Sequence, residues 1–237
     1  MTANKYRAGF VFVIVLCLFD GAQAIAAESD CQKPAVPLSA LLMPPPRQGS
    51  AETNAELREL QRLEKSRTAQ QIRHASSDHE QSPARFLGEI GIKVGTLPRF
   101  ADHFFKCIAD IAEDQTAQAK QFFKRPRPYK LPHNGLHPLK KMGDVDSPSY
   151  PSGHATYGTV IGLVLAEMLP EKKQEIFKRI EDYGYSRMVS SVHFRSDVYA
   201  GEVAGGAIAA RLFMNAVFRD EFQQAKNELR KAISYPP

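Results

Sequence analysis

Apolar positions recur at helical spacing along most of the chain. Residues 51–76 are dense in Glu, Leu, Arg and Gln, and Leu57, Leu60 and Leu63 fall on one face. The spacing predicts one helix there and a second over 83–93, with Gly95 ending that region. Pro98 suits the first turn of a long helix running to about residue 125. Phe100, Phe104, Ile108, Ile111 and Ala112, followed by Ala119, Phe122 and Phe123, form its apolar stripe, which reads as core packing. Pro126 and Pro128 stop it, because proline lacks an amide proton and clashes with the preceding turn.

Residues 129–151 mix Pro, Gly and two His and read as a loop, long enough to suggest function. From Ser152 the pattern turns helical again. Val160, Ile161, Leu163, Val164, Leu165, Met168 and Leu169 are apolar nearly all round, so this helix should be central and buried, and Pro170 ends it. Further helices are expected over 171–188, 196–218 and 219–233. Gly201, Gly205, Gly206 and many alanines permit close helix contacts in the second of these. Neither strand alternation nor an internal repeat is evident. The expected fold class is all-α, a single-domain helical bundle over 51–237. A Pro-rich arm over 27–50, with Pro44, Pro45 and Pro46, precedes it.

The N-terminus changes this picture. Lys5 and Arg7 precede an uncharged apolar run over 9–19, and Ala22-Gln23-Ala24 or Ala24-Ile25-Ala26 suits signal peptidase. The run is too short to span a bilayer, which needs roughly 20 residues. Residues 1–24 are therefore expected to be a signal peptide cleaved near 24–26, giving a periplasmic or secreted protein. Asp197, Glu202 and Arg211 argue against a membrane span further on. Export would make a Cys31–Cys107 disulfide feasible, with two free thiols as the alternative. The chain has 237 residues and a formal net charge of +5, a mild excess that suits an anionic small molecule. No nucleic-acid module accompanies it, so no nucleic-acid partner is expected. The 27–50 arm could dock on its own domain or on a neighbouring copy, so a homo-oligomer stays open.

Three clusters carry chemistry. In the first, Lys120 and Arg127 are seven residues apart and share a helix face if the helix persists that far. Two such cations can hold one dianion, though cations also suit a helix C-terminus without binding anything. The second is Pro151-Ser152-Gly153-His154. Ser152 is a good N-cap, Gly153 permits close backbone approach, and the first amides of the helix offer an anion site beside His154. Plain capping is the alternative. The third is Ser186-Arg187, then His193, then Asp197. An i, i+4 carboxylate can fix the imidazole tautomer and leave the other ring nitrogen as a nucleophile or base. An Asp that merely caps the next helix would look the same. His133 and His137 lie among Pro and Gly without carboxylate or Cys neighbours in sequence, so no metal site and no cofactor are expected.

The order K-x6-R-P, P-S-G-H, S-R-x5-H-x3-D resembles the three-part signature of the type 2 phosphatidic acid phosphatase superfamily, and every motif position matches. The apolar leader and the segment Leu41-Leu42-Met43-Pro44-Pro45-Pro46 resemble the bacterial class A non-specific acid phosphatases within it. The resemblance implies an all-α core and metal-independent hydrolysis of a broad range of phosphomonoesters. It implies that His193 attacks phosphorus to form a phosphohistidine, that Asp197 supports it, and that His154 protonates the leaving oxygen. Lys120, Arg127, Arg187, Ser152 and the amides of Gly153 and His154 would hold the phosphoryl oxygens, with phosphate or vanadate as ligands. Because His154 must be protonated to serve as the acid, better activity is expected below neutrality. Tyr150 and the 129–151 loop are candidates to border the leaving group. Phosphotransfer to alcohols and hydrolysis of lipid phosphates are alternatives at the same site. Vanadium-dependent haloperoxidases also resemble this constellation but are typically much longer.

Overall fold

The computed structural model describes residues 35–139 and 146–235. The expected signal peptide and Cys31 lie outside them. Among the described residues there are nine α-helices and no strand. They are α1 (Leu38–Leu41), α2 (Ala51–Ser66), α3 (Ala69–Ser77), α4 (Pro83–Glu89), α5 (Arg99–Phe123), α6 (Gly153–Met168), α7 (Lys173–Val189), α8 (Arg195–Phe213) and α9 (Ala216–Ala232). None of them is long and apolar enough to cross a membrane.

The continuous helix expected over 51–76 is two helices. Thr68 caps α3 in a reciprocal capping box with Gln71, and that local hydrogen bonding starts a new helix where apolar spacing alone predicts continuation. The 83–93 helix stops at Glu89, since Gly91 turns into the left-handed region at φ +81°. Pro98 caps α5 as expected. However, α5 ends at Phe123, and Lys124 takes a left-handed conformation (φ 51°) before either proline is reached. Arg127 is therefore not on α5, and the shared helix face expected for Lys120 and Arg127 does not exist.

The central helix is α6, packed between α5, α7 and α8. Val160, Ile161, Val164 and Leu165 are fully buried on it, each worth about 1.5–3 kcal/mol in transfer terms. The α6–α8 seam depends on absent side chains. A Cβ at Gly201 would sit 2.5 Å from the Ser152 carbonyl, and one at Gly205 would sit 2.6 Å from that of Thr156. This close approach puts the first turn of α6 on the first turn of α8, where the Ser152 amide donates to the Asp197 carbonyl (2.9 Å). Two of the three sequence clusters thus meet through backbone.

The described part of the arm docks on its own domain. Leu38 and Leu42 are buried in the main core, and the Tyr150 hydroxyl donates to the Met43 carbonyl. Cys107 is disulfide-bonded, so the free-thiol alternative does not hold for it, and Cys31 lies outside the described residues.

Candidate active site

A cavity of about 260 Å³ opens where α5, α6 and the α7–α8 turn converge. Its wall includes Lys120 from α5, Arg127 from the following loop, Gly153 and His154 from α6, Arg187 from α7, and His193 just before α8. Ser152 and Asp197, both fully buried, stand behind this wall rather than on it. Ser152 caps α6, accepting from the Ala155 amide at 3.3 Å, which frees the end of the helix to face the cavity. Asp197 closes a capping box at the start of α8 and accepts from the Phe194 amide at 2.8 Å. The capping reading of Asp197 therefore holds, and the same carboxylate also lies against His193.

His193 is 3% exposed. Its Nδ1 lies 3.4 Å from Asp197 Oδ2 and 3.3 Å from Ser149 Oγ, while Ser149 donates its own proton to Asp197. Those partners assign the proton to Nδ1 and leave a lone pair on Nε2, which receives the Arg127 Nη1–H at 3.2 Å. Burial, with the charges of Arg127 and Lys120, pushes the His193 pKa down to about 3 against the opposing pull of Asp197. The ring is a neutral base across the ordinary pH range. Burial alone would raise the Asp197 carboxyl. The hydrogen bond from His193, the charge of Arg125 and the Ser149 hydroxyl more than offset this and hold it below its usual value.

Carbonyl and hydroxyl oxygens aim the cations. Arg127 Nε and Nη2 donate to the carbonyl and hydroxyl of Ser147, and Lys120 Nζ donates to the Pro148 carbonyl. The loop before α6 thus aims both groups, although Arg127 has left the helix. Burial beside Arg127 lowers the Lys120 pKa to about 7. Burial lowers Arg187 to about 10, still a cation at neutral pH. Arg187 is anchored by the Ala75 carbonyl and the Ser186 hydroxyl.

His154 sits in a different setting. Its Nε2 bonds the His79 carbonyl at 3.2 Å, and its ring stacks with those of His79 and Tyr183, centroids 5.9 and 6.1 Å away. Burial first, then the Arg187 charge, lowers its pKa well below 6.5. In the absence of an anion it is neutral.

Residues 105–221 match the PAP2 superfamily. The chain carries a PAP2 superfamily domain. Curated relatives include non-specific acid phosphatases of Salmonella typhimurium (39% identical over 120 residues, 48% of this chain and 46% of that protein) and Providencia stuartii (34% over 125 residues, 52% and 50%). An acid phosphatase of Zymomonas mobilis is 33% identical over 144 residues, 60% of this chain and 54% of that protein. The chain spans about half the length of the curated relatives it matches. In fold it is similar to a transmembrane PAP2-type phosphatidylglycerolphosphate phosphatase from Bacillus subtilis. The TM-score is 0.50 and the identity 18%, over 79% of this chain and 91% of that one.

Several residues around this cavity are not singled out by the sequence. Arg125 and Ser149 hold Asp197, and His79 and Gln81 line the cavity from the α3–α4 turn. Glu56, His79 and Gln81 lie outside the matched segment. Tyr150, expected near the leaving group, instead packs on Phe123 at 4.9 Å and reaches back to the arm, whereas Ser147 of the same loop does line the cavity. His137 pairs with Glu64 at the surface. Among the described residues no group of His, Cys, Asp and Glu is arranged to hold a metal ion.

Proposed function

We propose that this chain is a metal-independent acid phosphatase that hydrolyses phosphomonoesters through a phosphohistidine at His193. One observation carries the reading: a neutral imidazole, backed at Nδ1 by Asp197 and touched at its unprotonated Nε2 by Arg127, lines a cavity walled by Lys120, Arg127 and Arg187. Those cations and the α6 N-terminus supply the charge that a phosphoryl group needs. The curated relatives named as acid phosphatases support the same activity.

The reaction is a double displacement. His193 Nε2 attacks phosphorus, the P–O ester bond breaks, and the leaving oxygen takes a proton from His154. The Nδ1 proton stays with the Asp197–Ser149 pair and stabilises the imidazolium-like phosphoenzyme. Water then attacks phosphorus, gives its proton to His154, and the P–N bond breaks to restore the Nε2 lone pair. The His154 proton is absent in the empty site and must arrive with substrate. The charge of a bound dianion raises the His154 pKa, and below about pH 6 the phosphomonoester itself carries a proton.

Acid preference has a second source. Lys120 is a full cation only below about pH 7, and His193 is a free nucleophile only above about pH 3. Between these limits kcat/KM should be highest. A broad substrate range, phosphate or vanadate as competing ligands, and export to the periplasm belong to the same reading. The test is turnover of p-nitrophenyl phosphate at mildly acidic pH in excess EDTA, beside His193→Ala. Turnover that the substitution removes supports the reading, and turnover that EDTA abolishes overturns it.

A further inference from the structure

Arg125 lies two residues before Arg127 and faces away from the cavity. Its side chain is 5% exposed. Nη1 donates to Asp197 Oδ1 at 2.6 Å and to Ser196 Oγ at 2.7 Å, and Nη2 donates to Glu56 Oε2 at 2.8 Å. The guanidinium lies 3.9 Å over the Phe194 ring. Glu56 uses its other oxygen to accept from the Ser196 amide at 2.7 Å, in the first turn of α8. A continuous chain therefore runs from Glu56 on α2 through Arg125 to Asp197 and His193. Its outer member lies beyond the segment that matches the superfamily.

We infer that Arg125, braced by Glu56, is a positioning residue that holds Asp197 as a charge-compensated carboxylate, so that Asp197 can orient His193 without protonating it. The inference rests on the phosphohistidine reading. Its logic is electrostatic. A buried carboxylate beside an imidazole favours the imidazolium, which has no lone pair to attack with. Arg125 bonds the carboxylate oxygen that His193 does not use and offsets its charge. The groups facing His193 are Lys120 on α5, Arg127 on the next loop, His154 on α6 and Asp197 on α8. Of these only Asp197 is an anion, so it alone pulls a proton onto the ring, and Arg125 bonded to its other oxygen opposes that pull.

The experiment is kcat/KM against pH with p-nitrophenyl phosphate for wild type, Arg125→Gln, Arg125→Lys and Glu56→Gln, each checked for folding by thermal melt. Arg125→Gln should lower kcat/KM about 10–100-fold, the usual scale for loss of a supporting partner. It should also move the acid limb up by about one pH unit or more, as protonation of His193 becomes easier. A merely structural role would not move that limb. Arg125→Lys keeps the charge but has no planar fork to serve three acceptors at once. Its limb should stay with wild type while kcat falls several-fold, and Glu56→Gln should behave likewise. An unshifted limb in folded Arg125→Gln overturns the inference. If that variant does not fold, wild-type kcat in both Arg125→Lys and Glu56→Gln overturns it. Absence of wild-type turnover would overturn the phosphatase reading itself, and is seen before any substitution is made.

Discussion

The two histidines of the cavity are held in contrasting ways. His193 is gripped by charge: Asp197 and Ser149 at Nδ1, Arg127 at Nε2, and Arg125 behind the carboxylate. His154 is gripped by shape: a carbonyl at Nε2 and the stacked rings of His79 and Tyr183. The difference matches the proposed tasks. A nucleophile must keep one tautomer and one direction, so it gains from fixed charges. A group that gains and loses a proton in each cycle needs a partner that serves both states: the carbonyl at Nε2 does, while burial and the Arg187 charge keep the ring neutral until an anion binds. Rigidity also differs in origin. The His193 side is tied to the α6–α8 seam. The His79 turn is tied by the buried Asp78–Arg179 pair and by the Tyr183 hydroxyl on the Glu80 carbonyl.

Substitutions can break this comparison, beginning with the most severe. His193→Ala should lower kcat by about a thousand-fold or more, because the displacement loses its nucleophile. It should leave inorganic phosphate binding within a few-fold by calorimetry, since the cations remain. His154→Ala should cost about 10²–10⁴-fold on an alkyl phosphate and much less on p-nitrophenyl phosphate, whose leaving group needs little protonation. Equal losses on both substrates would deny His154 the acid role.

The alkaline limb of kcat/KM should lie near pH 7 in wild type, where Lys120 loses its charge. Lys120→Arg keeps the charge at every working pH and should carry that limb upward, a gain of about tenfold relative to wild type one unit above it. His79→Ala keeps the carbonyl that bonds His154 but removes the stacked ring. It should lower kcat only several-fold. A loss as large as that of His154→Ala would mean that the stack, not the carbonyl, sets the acid.

Much of this was legible in the chain. The fold class, the buried all-round helix at 153–168 and the cap at Ser152 follow from local pattern, because periodicity and capping are local physics. The motifs also assembled as their order implied, with Lys120, Arg127, Gly153, His154, Arg187 and His193 on one cavity. Their mutual geometry was not local. Lys120 and Arg127 converge through a left-handed turn at Lys124 and a loop tether at Ser147, where helical spacing suggested a shared face. Arg125 was hidden in a basic run, since nothing in its neighbours tells which cation faces inward. His79 meets His154 across 75 positions, and Glu56 meets Ser196 across 140, so no spacing rule could pair them.

Everything proposed for this cavity turns on a bond from phosphorus to His193, and trapping the phosphoenzyme looks for that bond itself. Wild-type protein would be quenched into alkali during turnover, where phosphohistidine survives, and the modified residue mapped by mass spectrometry. One phosphoryl group is expected on His193, lost in His193→Ala and longer-lived in His154→Ala, which lacks the base for the second step. Phosphate on another residue, or steady turnover with no phosphoenzyme at any time, would contradict it.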